Sequence, residues 1–218
     1  MKKNYLILLI SIIILSYILL NYLGFIRYYK LLLFDSYKKY LIENYKHKIS
    51  SKYNIVLSFT TTHDNINKLQ PFLNSLLDQS IRVNKIVLNL PDSYENKEYD
   101  VPSKYNDIIL VYRSGKNYGK YNHIIPVLLR ELEDDTIIIS LKDNYIYNYY
   151  LIENLLNKYE QNPDNIIYDN NLMLFKPKFF NKNIVNYNKD ENDDNWINKH
   201  ANVKQIFFKQ YEKDFNYL

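Results

Sequence analysis

Four short apolar runs, each breaking off into polar residues, limit what this chain can fold into. They are Asn54–Phe59 (NIVLSF), Lys85–Leu90 (KIVLNL), Asp107–Tyr112 (DIILVY) and Ile137–Leu141 (IIISL). Runs this short, rich in β-branched residues and bounded by turn signals, read as buried strands. Between the first two, Leu69, Phe72, Leu73, Leu76 and Leu77 share one face of a helix predicted over Lys68–Gln79. Further helices are predicted over Ile124–Leu132 and Tyr149–Tyr159. Strands alternating with one-faced helices define the α/β class, with a mainly parallel sheet covered by helices. The remainder gives weaker signals. Ile166–Tyr168 and Leu172–Phe175 read as short strands around an Asn170–Asn171 turn, Trp196 opens a short helix, and Val203–Phe208 reads as a last strand.

In open α/β sheets, ligands sit beyond the carboxyl ends of the strands. The fourth run leads directly into Lys142, Asp143 and Asn144, so its end is the first candidate site, against the plainer reading of a core strand followed by a polar turn. The first run leads into Thr60, Thr61, Thr62, His63 and Asp64. Arg113–His123 (RSGKNYGKYNH) holds Gly115 and Gly119, two of the chain's 3 glycines. Two glycines so close imply either a close approach by a ligand or a turn that needs positive φ. Asp193 and Asp194, in the polar stretch 186–195, read either as functional carboxylates or as a solvated acidic loop opening a helix. His200, nearby, reads as a surface residue.

Tyr5–Ile26 is a second strong constraint. Its 22 residues carry no charge, and at about 1.5 Å per residue they reach roughly 33 Å, enough to cross a bilayer. The run exceeds a signal-peptide core, and no small-residue cleavage site follows it. The expectation is a single-pass, uncleaved signal-anchor over residues 1–26. Lysines flank it on both sides, leaving the side of the following domain open. Residues 27–52 continue with helical spacing at Phe34, Tyr37, Leu41, Tyr45 and Lys48. They read either as an amphipathic stem on the membrane surface or as a helix packed on the domain that fills residues 53–218.

The net charge of +4 is unevenly spread: residues 27–52 hold seven basic and two acidic side chains, while residues 53–218 hold 19 basic and 22 acidic. A mildly acidic body argues against a nucleic-acid groove. With no cysteine, disulfides, thiolate catalysis and cysteine–zinc sites are excluded. The 24 tyrosines accompany abundant Asn, Ile and Lys and call for no functional account.

The order of these segments resembles a family of short GT-A-fold glycosyltransferases found in bacteria, protists and large DNA viruses. The likeness spans about residues 54–159. It is carried by Val56-Leu57-Ser58-Phe59-Thr60-Thr61, by Ser75-Leu76-Leu77-Asp78-Gln79-Ser80 and by Leu88-Asn89-Leu90-Pro91, then by Asn117-Tyr118-Gly119-Lys120-Tyr121-Asn122-His123 and by Lys142-Asp143-Asn144-Tyr145-Ile146-Tyr147. The resemblance implies a GT-A-like, Rossmann-like sheet. It also implies transfer of a sugar from a nucleotide-sugar donor to a glycan, lipid or protein acceptor. It places Thr60, Thr61, Asp64, Tyr118, Gly119, His123, Asp143 and Asn144 at the donor, and Asp193 or Asp194 as the base that deprotonates the acceptor.

The departures fall on the charged positions. The family's acidic triplet holds Mn²⁺ or Mg²⁺ on the diphosphate. Here Lys142 replaces its first carboxylate and Asn144 its third, which leaves Asp143 as the one metal candidate. A family Lys becomes His123 and a family Asp becomes Asn117. An ammonium within about 4 Å of a cation would repel it by several kcal/mol at low dielectric. Two readings follow. In one, Lys142 meets the diphosphate and replaces the metal's charge. In the other, the chain is a catalytically inactive relative that binds a ligand or a partner.

Overall fold

The computed structural model describes residues 2–33, 37–94, 97–181, 184, 196–209 and 214–217. In chain order its elements are α1 (Lys2–Tyr22), α2 (Phe25–Leu33), α3 (Tyr37–Tyr45), β1 (Ile55–Phe59), α4 (Gln70–Leu77), β2 (Lys85–Pro91), β3 (Ser93–Tyr94), β4 (Lys97–Glu98), β5 (Leu110–Ser114), α5 (Ile125–Arg130), β6 (Ile137–Leu141), β7 (Tyr145–Ile146), α6 (Leu151–Gln161), β8 (Ile166–Tyr168), β9 (Leu172–Phe175), α7 (Trp196–His200), β10 (Gln205–Phe207) and β11 (Phe215–Asn216). Among the described residues, seven strands form one sheet in the order β10-β8-β9-β6-β1-β2-β5. β1 pairs in parallel with β2 and β6, β2 with β5, and β8 with β10, while β9 runs antiparallel to both β6 and β8. The α/β, mainly parallel architecture read from the four apolar runs is therefore present.

β1, β2 and β6 are mostly apolar because both faces of the sheet are covered along them, whereas β5 is a partly exposed edge. Ile55, Leu57 and Phe59 of β1 and Ile137, Ile139 and Leu141 of β6 enter one core with α4, α6 and Tyr147. Val56, Val87 and Ile138 enter a second core with Ile125, Val127, Phe179 and Trp196. The helix expected over 68–79 is Gln70–Leu77, preceded by a 3-10 turn at Ile66–Lys68. One strand is shifted. The run Asp107–Tyr112 was expected to be extended, but β5 covers Leu110–Ser114. Tyr105, fully buried, closes a 3-10 turn, and the amides of Ile108 and Ile109 bond back to its carbonyl. That turn consumes the residues which begin the apolar run.

Of the two arrangements open for the stretch after the apolar segment, the structure has the packed one. Leu31 and Leu41 are each 1% exposed and belong to the same core as β1 and α4. Arg27 Nε meets Asp78 Oδ2 at 2.7 Å, and Arg27 Nη1 donates to the Tyr147 carbonyl at 2.8 Å. Asn74 Nδ2 donates to the Leu31 carbonyl at 3.0 Å. The Tyr45 hydroxyl accepts from the Val83 amide at 2.9 Å. α1 is different. Its segment Asn4–Tyr22 is long and apolar enough to cross a membrane, and none of it is buried against the rest of the chain. Gly24, at φ 77°, turns α1 into α2.

Candidate functional site

The crossovers from β1 to β2 to β5 move outward on one side of β1, and the chain then returns to place β6 on the other side. The strand order therefore reverses between β1 and β6. At such a switch point the loops leaving the carboxyl ends part and open a crevice. The residues leaving β1 are Thr60 and Thr61, and those leaving β6 are Lys142, Asp143 and Asn144. Topology alone brings these two stretches together.

Their side chains meet. Thr61 Oγ1, buried, donates to Asp143 Oδ2 at 2.6 Å. Burial raises the Asp143 carboxyl above its ordinary range, and the Thr61 hydroxyl opposes that shift. Lys142 is exposed, and its ammonium forms no ion pair among the described residues. The turn carrying both is fixed from below. The Lys142 amide donates to the Asn171 carbonyl at 3.0 Å, and the buried Tyr147 hydroxyl lies 3.0 Å from the Lys142 carbonyl and 3.2 Å from that of Asn171. Asn144 is half-buried, and its carbonyl accepts from the Tyr217 amide at 3.2 Å.

The glycine-bearing loop closes the other wall. Asn117 Oδ1 accepts from the Gly119 amide at 2.8 Å and from Asn122 Nδ2 at 3.0 Å, while Asn122 Oδ1 accepts from the Tyr118 amide at 2.8 Å. Gly119 sits at φ 56°, in the left-handed region. Gly115 does not; a Cβ there would meet only Asp92 Oδ2, at an ordinary 3.8 Å. So the turn requirement is real for Gly119 alone. Gly119→Ala is expected to lower stability by about 1–2 kcal/mol, the cost of placing an L side chain in that region, and Gly115→Ala by much less. Thermal unfolding of the two variants checks this, and equal losses would contradict it.

A row of polar residues lies beneath this wall. Ser58, Asn89 and Ser140 interrupt β1, β2 and β6, and all three are buried. Ser58 Oγ donates to the His123 carbonyl at 2.6 Å and accepts from Asn89 Nδ2 at 2.8 Å. Ser58 pairs with Ser140 across the sheet, and Lys142 follows Ser140 by two residues, on the same face. His123 and Lys142 thus overlook one space. Burial, and secondarily the Lys142 charge, lower the His123 imidazole from 6.5 to about 4. It is neutral at neutral pH, and Lys142 supplies the fixed positive charge of this wall.

That shift has a signed consequence. Between pH 6.5 and about 4 the unfolded imidazole is protonated and the folded one is not. Stability should therefore fall as pH drops through that window, by at most about 3 kcal/mol, and be unaffected by this group above it. Urea unfolding from pH 7 to pH 4 on wild type and His123→Gln reads the difference. A variant with the same pH slope as wild type would assign the slope elsewhere.

Other expected residues lie apart or outside. Asp64 is exposed in the turn at 63–65, and Thr60 is half-buried beside Thr61. Tyr118 is buried and packs with Ile124 and Trp196 rather than standing open to the crevice. Asp193 and Asp194 lie outside the described residues. Two contributors were not among the expected site residues. The polar breaks at Ser58, Asn89 and Ser140 were legible as interruptions of apolar strands. Tyr217 was not. Its hydroxyl donates to the Asp143 carbonyl at 2.8 Å, and β11 pairs antiparallel with β7. Residues 215–217 thereby strap the Lys142–Tyr145 turn from 74 residues away, beyond the reach of any local pattern.

A hard divalent cation needs several oxygen ligands. Among the described residues no group of three His, Asp or Glu side chains could hold one. Asp143 is a single carboxylate already engaged by Thr61, with a lysine beside it. These residues do not fit Mn²⁺ or Mg²⁺.

No protein-family model matches the chain, and no curated protein matches it. Among solved structures it is similar to a candidate nucleotide-diphospho-sugar transferase from Desulfovibrio desulfuricans, at 12% identity and a TM-score of 0.42, over 71% of this chain and 79% of that one. The fold assignment above rests on the strand order of this chain.

Proposed function

We propose that this protein is a membrane-anchored glycosyltransferase that uses a nucleotide-sugar donor, with Lys142 in place of a metal. The observation that carries the reading is the convergence of Thr61, Asp143, Lys142 and His123 at the β1/β6 switch point. Thr60 and Thr61 would border the nucleotide, Asp64 would reach it from the rim, and Gly119 would allow the donor close to the loop. Lys142 would face the diphosphate, with Asp143 and Asn144 shaping the turn beneath it. In the reaction, the bond from the sugar's anomeric carbon to the diphosphate oxygen breaks, and its electron pair leaves with the diphosphate. The acceptor hydroxyl oxygen bonds to that carbon, and its proton passes to Asp193 or Asp194. α1, apolar and uncovered, would be the single-pass signal-anchor.

A second reading, an inactive relative that binds without turning over, is favoured by one observation. The sole carboxylate of the turn is occupied by Thr61, and the turn itself is strapped by Tyr217. A thermal-shift panel of nucleotide sugars separates the readings. Under the first, at least one donor raises the melting temperature, equally in EDTA and in Mn²⁺. In calorimetry without donor, Mn²⁺ should bind no more tightly than millimolar. A micromolar Mn²⁺ affinity that disappears in Asp143→Ala would show that the lysine does not replace the metal. No response to any donor would leave the binding-partner reading.

A further inference from the structure

A cavity of about 850 Å³ lies where α1 enters the body. That falls within the roughly 300–1,000 Å³ of small-molecule sites. One wall is the end of α1 and the start of α2, with Tyr22, Leu23 and Phe25; the other includes Ile146, Tyr149 and Phe215. Three features of the place bear on what fills it.

The first is continuity with the apolar surface of α1. Tyr22, the last residue of α1, is 85% exposed and Leu23, the first residue after it, 49%, and both line the cavity. With α1 in a bilayer, the cavity opens at the level of the headgroups, where rings with a polar tip are favoured. Its aromatic wall, completed by the half-exposed Tyr150, suits that level.

The second is its distance from the candidate site. Ile146 lines the cavity and follows Asp143 by three residues, so chain geometry holds it within about 10 Å of Asp143. Phe215 closes the cavity against Tyr28 and Phe25, with ring centroids 4.8 and 6.0 Å away, and two residues later Tyr217 bonds the Asp143 carbonyl. The same short segment, residues 215–217, borders both places.

The third is charge. Arg27 lines the cavity, but its Nε already meets Asp78 at 2.7 Å. Its Nη2 is buried without a partner among the described residues. A donor whose charge is already compensated fits a neutral acceptor oxygen, such as a hydroxyl or an ester, better than an anion that must compete with Asp78.

We infer that this cavity seats the neutral, hydroxyl-bearing head of a bilayer lipid, and that the acceptor class of the proposed transfer is such a lipid. The inference rests on the membrane-anchored transferase reading, but lipid retention and donor binding are measured separately and either can fail alone. The test uses the full chain in phosphatidylcholine nanodiscs containing diacylglycerol, then extracted into detergent, with retained lipid counted by native mass spectrometry. Leu23→Trp narrows the cavity mouth, and Ile13→Trp adds the same ring to the uncovered α1 about 15 Å further along it. Wild type and Ile13→Trp should retain diacylglycerol, and Leu23→Trp should retain about tenfold less, about 1.4 kcal/mol of affinity. Equal retention in all three would mean that lipid only coats α1, and would overturn the inference. Preferential retention of phosphatidylserine over diacylglycerol would overturn the neutral head. Recovery of lipid-free protein without detergent would overturn it together with the anchor, leaving the donor-binding result to stand on its own.

Discussion

Lys142→Met is expected to lower turnover about 10²–10³-fold, as does loss of one preorganised electrostatic contact to a developing charge. The diphosphate gains negative charge as the sugar leaves, so a fixed positive charge must lie beside it. Three groups near the switch point could carry that charge. His123 does not at neutral pH, because burial holds its imidazole at about 4. Lys120 is exposed on the glycine-bearing loop, with its ammonium over the Tyr121 ring at 5.4 Å. Lys142 leaves the carboxyl end of β6, at the reversal of strand order, without an ion pair among the described residues. Because Lys142 is exposed, its replacement should hardly change stability, so lost turnover can be read as lost chemistry. The measurement is donor hydrolysis by wild type, Lys142→Met and the double variant Lys142→Asp/Asn144→Asp, each in EDTA and in Mn²⁺. Restoring two carboxylates beside Asp143 should make turnover depend on Mn²⁺. If Lys142→Met matches wild type in EDTA, the ammonium has no catalytic role. If turnover appears only in the double variant with Mn²⁺, the natural chain is a binding protein on a transferase-like sheet.

The strands that carry this site could be read from the sequence because they are buried on both faces. Ile55–Phe59 and Ile137–Leu141 have no solvent side to blur the run; the second was placed to the residue and the first to within one. The polar ends were legible for the opposite reason, since Lys142, Asp143 and Asn144 interrupt a run that packing would otherwise keep apolar. β5 was misplaced because Ile108 and Ile109 are apolar for a different purpose: they pack under the turn made by Tyr105 instead of extending the strand. The Thr61–Asp143 contact depends on β1 and β6 being neighbours, a consequence of topology rather than of any local pattern. The strap at Phe215–Tyr217 is short and only half-buried, so its sequence has little periodicity to declare it. For residues 27–52 helical spacing left two arrangements open, a membrane-surface stem or a helix packed on the body, and only the contacts of Leu31 and Leu41 with the core beside α4 decide between them.

That last point yields a second large effect. Leu31→Ala should destabilise the fold by about 2–5 kcal/mol, the range for truncating a buried leucine where the surroundings relax only partly. Leu31 is 1% exposed and shares a core with Phe72, Leu73 and β1, while its carbonyl accepts from Asn74 Nδ2 at 3.0 Å. The backbone bond holds α2 in place around the missing methyl groups, so the cavity has little freedom to collapse. Leu33 lies in the same helix but is 64% exposed. Leu33→Ala should change stability by less than about 0.5 kcal/mol. The pair separates packing from helix propensity, since both substitutions favour helix equally. Unfolding of the full chain in detergent can be followed through Trp196, the chain's one tryptophan, which is buried against Tyr121 and Phe180 on the opposite face of the sheet. A reporter on the far face registers α2 only if its packing is coupled to the whole fold. A large loss in Leu31→Ala beside silence in Leu33→Ala makes α2 part of the folding unit. Equal silence in both would mean that the helix docks on a body that is stable without it, and the membrane-surface arrangement would then regain its claim to this stretch.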